Sequence, residues 1–152
     1  MGDGIVLRDF VRPDQDSVRR LILEGLADHW GSIDESLNRD LDDIAATYAS
    51  GRTIVAEQAG ELVGTGTLLP VDPVAAEIRR MSVAASLRRR GIARAIVEEL
   101  VETARRWSAT KVVLETSSGW TDVIDFYLAC GFTITETRSG EFGDDTWFEL
   151  LL

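Results

Sequence analysis

Apolar positions along this chain fall into short blocks that alternate between strand-like and helix-like spacing. Residues 5–12 open with an apolar block that suits a first strand, and Pro13-Asp14 offers a helix start directly after it. Val18, Leu21, Ile22 and Leu26 then recur at helical spacing. A second helix is predicted over about residues 36–49, with Leu37, Leu41, Ile44, Ala45 and Tyr48 on one side and Gly51 closing it. Residues 53–57 and 62–68 read as two strands joined by a turn at Ala59-Gly60. Gly64 and Gly66 lack the side chains that a central strand packs, so a bulge or a close backbone approach is expected there.

Residues 75–83 read as the next strand, and a long helix follows over about 91–107. Its positions Ile92, Ile96, Leu100 and Ala104 recur every four residues beside Ala93, Val97 and Val101, a clear amphipathic stripe. Residues 111–116 form a strand, and 121–130 a short helix with Val123, Ile124, Tyr127 and Leu128 inward and Gly131 at its C′ position. Strands over 132–137 and 146–152 finish the chain across the polar turn 139–145. The order β-α-α-β-β-β-α-β-α-β-β describes an α/β fold, a mixed sheet of about seven strands with helices on both faces. No repeat, low-complexity tract or linker divides the 152 residues, so residues 1–152 are expected to form a single domain.

Composition narrows the function classes. At this length a folded chain buries about 70% of its unfolded surface, so the core needs no covalent or metal staple. One cysteine, Cys130, excludes an internal disulfide and a multi-cysteine zinc site, and one histidine, His29, excludes a site of several His ligands. There is no apolar run long enough to span a membrane, the first residues do not read as a signal peptide, and Val6 stands where a myristoylation motif wants Ser or Thr. A cytoplasmic protein is expected. A net charge of −10 argues against a general nucleic-acid or anionic-membrane binder. Within that acidic chain, residues 78–97 hold six arginines and no acid, so the remainder sums to −16. A basic island of this kind is either a local anion site or a solvated loop.

The segment between the 75–83 strand and the long helix decides in favour of the anion site. It reads Met81-Ser-Val-Ala-Ala-Ser-Leu-Arg88-Arg-Arg-Gly91-Ile-Ala93-Arg94. Gly91 and Ala93 are small enough to let a ligand reach the first helical amides, which lack intrahelical partners and carry the positive end of the helix dipole. Arg88, Arg89, Arg90 and Arg94 surround them, an arrangement suited to a phosphate or pyrophosphate. Neither a Gly-Lys-Ser/Thr nucleotide loop nor a Gly-x-Gly-x-x-Gly dinucleotide turn is present.

Arg88-x-x-Gly91-x-Ala93 after a strand ending in Met81-Ser-Val83 resembles the signature of the GNAT superfamily of acyl-CoA-dependent N-acyltransferases. The likeness extends to Phe126-Tyr127-x-x-Cys130-Gly131-Phe132 and to the order of elements over nearly the whole chain. It implies acetyl-CoA as co-substrate and no metal. By resemblance, Arg88, Arg89, Arg90, Gly91, Ile92, Ala93 and Arg94 hold the coenzyme pyrophosphate. The backbone of Met81, Ser82 and Val83 pairs with the pantetheine arm, on an edge exposed by a splay between strands 75–83 and 111–116. A bulge could open such a splay. Many members carry an Asn seven residues before the tyrosine, where this chain has Trp120, with Asp122 or Ser118 as stand-ins.

The chemistry sets further demands. A lysine-like ammonium holds its proton up to a pKa near 10.4, so a carboxylate near the acceptor would help to remove it. Glu77, 11 residues before Arg88, has the spacing at which histone-acetylating relatives place their base; Glu57, Glu115 and His29 are alternatives. The oxyanion of the tetrahedral intermediate needs a backbone N–H, by resemblance that of Val83 or its neighbour. Tyr127 occupies the family position of the acid that protonates the departing thiolate, although it also reads as a core residue of its helix. Cys130 reads as a small buried hydrophobe, and so no acyl-enzyme is expected.

Trp107 and Trp147 read as core or margin aromatics, whereas Trp30 and Trp120 lie in segments that border the acceptor site in this family. Those segments are acidic, with Glu24, Asp28, Asp34, Glu35, Asp40, Asp42, Asp43, Glu141, Asp144 and Asp145, which would steer a cationic amine if it is more than solubilising charge. The expectation is a small-molecule amine acceptor, cationic or not. A protein lysine or N-terminus and a non-catalytic acyl-CoA sensor are the alternatives. Relatives that pair through sheet edges or helices leave a homodimer open.

Overall fold

Seven strands with strand-length runs of β-branched and aliphatic residues assemble into one sheet. They are β1 (Ile5–Asp9), β2 (Arg52–Gln58), β3 (Glu61–Asp72), β4 (Ala75–Val83), β5 (Lys111–Ser117), β6 (Thr133–Gly140) and β7 (Gly143–Leu151). The helices are α1 (Gln15–Trp30), α2 (Ile44–Thr47), α3 (Ile92–Arg106) and α4 (Thr121–Ala129). The computed structural model describes residues 4–31, 34–141 and 143–152. The strand order is β1-β2-β3-β4-β5-β7-β6, antiparallel throughout except where β4 meets β5.

Neighbouring residues of β2 divide the core in two. Ile54 and Ala56 join Ile96 and Leu100 of α3 and Tyr127 of α4 on one face. Val55 joins Val18 and Ile22 of α1, Leu41, and Ile44 of α2 on the other. This follows from the period-2 direction of strand side chains, and it puts helices on both faces as expected. The four-residue stripe on α3 is the buried one, and Ile96 and Leu100 are wholly enclosed. Each such side chain contributes roughly 1.5–3 kcal/mol by leaving water.

Both features expected at Gly64 and Gly66 occur together. A Cβ on Gly66 would lie 2.8 Å from Ile96 Cγ2 and 2.5 Å from Met81 Sδ, so α3 sits against bare backbone. Opposite Gly66 the register shifts, because Thr65 pairs with Ser82 but Thr67 pairs with Arg79. Two β4 residues, Arg80 and Met81, therefore face one of β3. Arg80 takes a positive φ of 55°, a conformation L-residues seldom adopt, and this bends β4.

The bend coincides with the opening of the sheet. β4 and β5 pair in parallel only from Ala75–Lys111 to Glu77–Val113. Beyond that point β4 continues alongside β3 to Val83, and β5 alongside β7 to Ser117. The splay between these two strands was expected from the sequence and is present.

Two helical expectations need correction. Residues 36–49 do not form one helix; two 3-10 turns, Glu35–Leu37 and Arg39–Asp42, precede the single-turn α2. The Asp34 carboxylate accepts the amide of Ser36, and the Asp43 carboxylate accepts that of Ala46. These local bonds restart the backbone instead of continuing a helix. Leu37 is left exposed while Leu41, Ile44 and Tyr48 are buried as expected. On α4, Leu128 points outward and is exposed, and Phe126 packs at the core margin instead.

Candidate active site

The splay creates a cavity of about 1230 Å³ that runs from the N-terminus of α3, along the free edge of β4, to the face covered by α1 and α2. Its walls contain every residue that the motif singled out on β4 and the following loop except Arg90.

At the α3 end the backbone dominates. Gly91 is the N-cap, with a φ of 84°, and a Cβ placed on it would meet nothing within 4 Å. The left-handed conformation, not crowding, is what requires glycine there. Ala95 makes the first bond of the helix, to the Gly91 carbonyl at 3.0 Å, so the amides of Ile92, Ala93 and Arg94 lie ahead of the ladder. The arginines around them are not equivalent. Arg88 donates to Asp28 at 2.7 Å and to the Val83 carbonyl at 3.3 Å, and Arg94 donates to the Ala129 carbonyl at 3.2 Å. Arg89 lines the cavity and makes no ion pair among the described residues.

Along the cavity, the β4 edge from Ile78 to Val83 has no partner strand on its β5 side among the described residues. Ser82 turns its hydroxyl away, donating to the Leu21 carbonyl of α1 at 3.0 Å. α1 comes this near because of Gly25, where a Cβ would lie 2.6 Å from Ser82 Oγ. Across the cavity stands Tyr127, a residue 5% exposed whose ring packs edge-on against Phe126 and Phe132. Tyr127 is thus both the core residue and the cavity residue that the sequence left as alternatives. Burial, with a smaller effect of Cys130, pushes the phenol well above its ordinary range, so it stays protonated.

His29 stacks on Trp120 with ring centroids 4.3 Å apart, joining the end of α1 to the start of α4. His29, Trp120 and Asp122 line the cavity, whereas Trp30 sits outside it, edge-on to Trp120 at 5.5 Å. Ser118 is engaged with Thr146 at 2.8 Å. Cys130 does not line the cavity, and burial raises its thiol above the ordinary value even though Arg94 opposes the shift.

At the far end, side chains dominate. The Glu77 side chain is 7% exposed, and its Oε1 accepts from Arg79 Nη2 at 3.0 Å; it is buried in mid-strand rather than solvated at a margin. Glu115, on β5, lines the same space, and desolvation, with Asp145 and Glu77 nearby, lifts its carboxyl above the usual range. Glu57 is elsewhere, held by Arg8 at 3.0 Å. Arg80 grips Asp40 through two bonds of 2.9 and 2.6 Å and Asn38 through a third of 3.0 Å, while the Tyr48 hydroxyl donates to the same Asp40 carboxylate. Burial opposes ionisation of Asp40, but Arg80 and Tyr48 together hold its carboxyl below the ordinary range. Sequence reasoning did not find this network, because its members come from three segments and depend on the bulge that turns Arg80. Arg79 was also missed, although its two-residue step from Glu77 along one strand was the available signal.

A family model described as the acetyltransferase (GNAT) family matches residues 16–132. The chain belongs to that family. The curated relatives include N-acetyltransferase 8F1 of Rattus norvegicus, 38% identical over 109 residues, which cover 67% of this chain and 49% of the relative. The chain spans about half the length of the curated relatives it matches. Among solved structures, a GNAT family acetyltransferase from Staphylococcus aureus Mu50 superposes with a TM-score of 0.87 at 19% identity, covering 97% of this chain and 99% of its own. A GNAT family acetyltransferase from Elizabethkingia anophelis with acetyl-CoA bound gives a TM-score of 0.76 at 20% identity, covering 99% and 100%. These likenesses show that the sheet and its splay have the GNAT fold.

Among the described residues, no cluster of three or more His, Cys, Asp or Glu side chains could hold a metal ion. No helix among them is long and apolar enough to cross a membrane.

Proposed function

We propose that this GNAT chain is an acetyl-CoA-dependent N-acetyltransferase acting on a primary amine of a small acceptor, by direct attack in a ternary complex. The observation that carries the reading is the continuity of one cavity. It joins an anion-binding helix N-terminus to a pair of carboxylates along a strand edge with free backbone groups. The unpaired amides of 92–94 with Arg88, Arg89 and Arg94 fit a pyrophosphate, and the edge of Met81, Ser82 and Val83 fits an amide-bearing arm. Arg90, outside the wall, would act on the coenzyme only as distant charge.

Glu77, directly or by water, first takes the proton that the ammonium holds at neutral pH. The amine nitrogen attacks the thioester carbonyl, and the backbone N–H of Val83 or its neighbour meets the oxyanion. Collapse breaks the carbon–sulfur bond. The departing thiolate takes the Tyr127 proton, and the surplus proton on the new amide nitrogen passes by water to the phenolate so formed. Burial keeps the phenol protonated, so the proton is in place when the thiolate departs. Glu115 is the second candidate base, with a carboxyl that desolvation holds above its ordinary value. Cys130, outside the cavity with a raised thiol, offers no route through an acyl-enzyme.

The reading takes residues 1–152 as one catalytic domain working in the cytoplasm on a small molecule, with neither nucleic acid nor membrane as partner; a homodimer is compatible with it. A thiol-release screen with acetyl-CoA over a panel of amines tests it. Turnover on a small amine supports it, whereas coenzyme binding without turnover would move the function to a protein substrate or a sensor.

A further inference from the structure

Of the acidic segments that would steer a cationic acceptor, the one over residues 24–43 is largely engaged in the fold. Asp28 pairs with Arg88, Glu35 with Arg19 and Asp40 with Arg80. Asp34 and Asp43 accept backbone amides. Of the acids in the α1–β2 segment, only Asp40 reaches the cavity wall, and it is already gripped by a guanidinium and a phenol. A plain cation therefore gains little from this segment once it arrives.

The charges that do remain open at the acceptor end are of both signs. Arg79 is held by a single bond to Glu77, its side chain is 48% exposed, and its other N–H groups have no partner among the described residues. Arg80, by contrast, is held by three bonds, one from each of its nitrogens, to Asp40 and Asn38. Beside Arg79 stand the Glu77 carboxylate, with its second oxygen free among the described residues, and Glu115, which makes no ion pair among them. Arg79 and Glu115 line the same cavity. An ammonium without a counter-charge would approach these carboxylates against an adjoining guanidinium. A molecule carrying an ammonium and a carboxylate on neighbouring atoms would satisfy both.

We propose that the acceptor is an α-amino carboxylate, an amino acid or a small derivative with both groups free, whose carboxylate is held by Arg79 while its amine faces Glu77 and Glu115. This rests on the acetyl-transfer reading above and names its substrate class. The planar guanidinium fork matches a carboxylate geometrically. A site whose polar groups are built to hold a substrate group rejects the analogue that lacks it, because the site is then left unpaired.

The test uses the full chain with acetyl-CoA. Coenzyme binding is first confirmed by calorimetry, and thiol release is then measured with the L-amino acids, their α-carboxamides, the amines left by their decarboxylation, a polyamine and an aminoglycoside. At least one amino acid should show a kcat/KM tenfold or more above its own decarboxylated amine and carboxamide. In Arg79→Gln that ratio should fall toward one, and in Arg79→Lys part of it should return. Because the ratio compares two acceptors on one protein sample, a partial loss of folded enzyme cancels. Equal or better turnover of amines, carboxamides, the polyamine or the aminoglycoside overturns the proposal. So does a ratio that survives Arg79→Gln, or silence of all acceptors while acetyl-CoA binds. Failure of acetyl-CoA to bind defeats the acetyl-transfer reading itself and is visible in the calorimetry alone.

Discussion

The two ends of the cavity are built by different means. The end at α3 is made of consecutive residues and backbone groups: a left-handed glycine, three amides ahead of the helix ladder, and an unpaired strand edge. The end under α1 and α2 is made of side chains, most of which come together across long stretches of chain: Asp40 with Arg80, and Glu115 of β5 with the Glu77–Arg79 pair of β4. A backbone site tolerates change in most side chains and suits a ligand common to a whole family. A side-chain site can be rewritten residue by residue and suits an acceptor particular to one member.

That contrast can be broken most forcefully at Gly91. Replacing it with Trp forces a bulky residue into a φ of 84° at the mouth of the cavity. Conformational cost is about 1–2 kcal/mol, and blocked access to two or three charge-assisted bonds should weaken coenzyme binding by roughly 100-fold or more. Circular dichroism should still report a folded chain, since nothing lies within 4 Å of that position.

At the other end, Glu77→Gln should leave coenzyme affinity unchanged and lower turnover about 100-fold at neutral pH. Activity should recover as pH rises and the free amine becomes available, whereas an equal loss at every pH would mean that Glu77 positions the acceptor. The same profile in Glu115→Gln would transfer the base to Glu115. Tyr127→Phe should reduce turnover by about tenfold or more with coenzyme affinity again unchanged, because it removes the hydroxyl and keeps the packing against Phe132 and Phe148.

Smaller effects should separate the two ends in stability. Asp40→Ala would strand Arg80 and the Tyr48 hydroxyl and cost about 2–3 kcal/mol. Acceptor KM should rise while coenzyme affinity holds. Acid should act in the same direction. The folded-state carboxyl of Asp40 sits below its ordinary value, so its stabilisation is fully present above about pH 4 and is lost as pH falls through the folded value. Hydrogen exchange between pH 5 and pH 3 should loosen the 38–48 segment before the start of α3. Simultaneous opening would show that the Asp40–Arg80 grip does not set local stability.

The same difference explains what could be read from the sequence. The strands, α3 and the basic loop before it were legible because each depends on local spacing: the stripe from Ile92 to Ala104, the bare backbone at Gly64 and Gly66, and the run from Arg88 to Arg94; the splay came from the family resemblance. The segment after α1 was misread as a helix because apolar spacing at Leu41, Ile44 and Tyr48 outweighed the capping aspartates Asp34 and Asp43. The Arg80 network stayed hidden because one extra β4 residue at the bulge decides which way that arginine points, and no local pattern announces it. Glu77 was found by spacing, but its pairing with Arg79 gives it a setting that spacing alone does not supply.

The central claim is that the β4 edge and the N-terminus of α3 hold acetyl-CoA. Calorimetric titration of acetyl-CoA into the unaltered chain and into Gly91→Trp, side by side, tests it most directly. One-to-one binding that is weakened by roughly 100-fold or more in the variant is the expected result. No binding to the unaltered chain, or equal binding to both, would contradict the account.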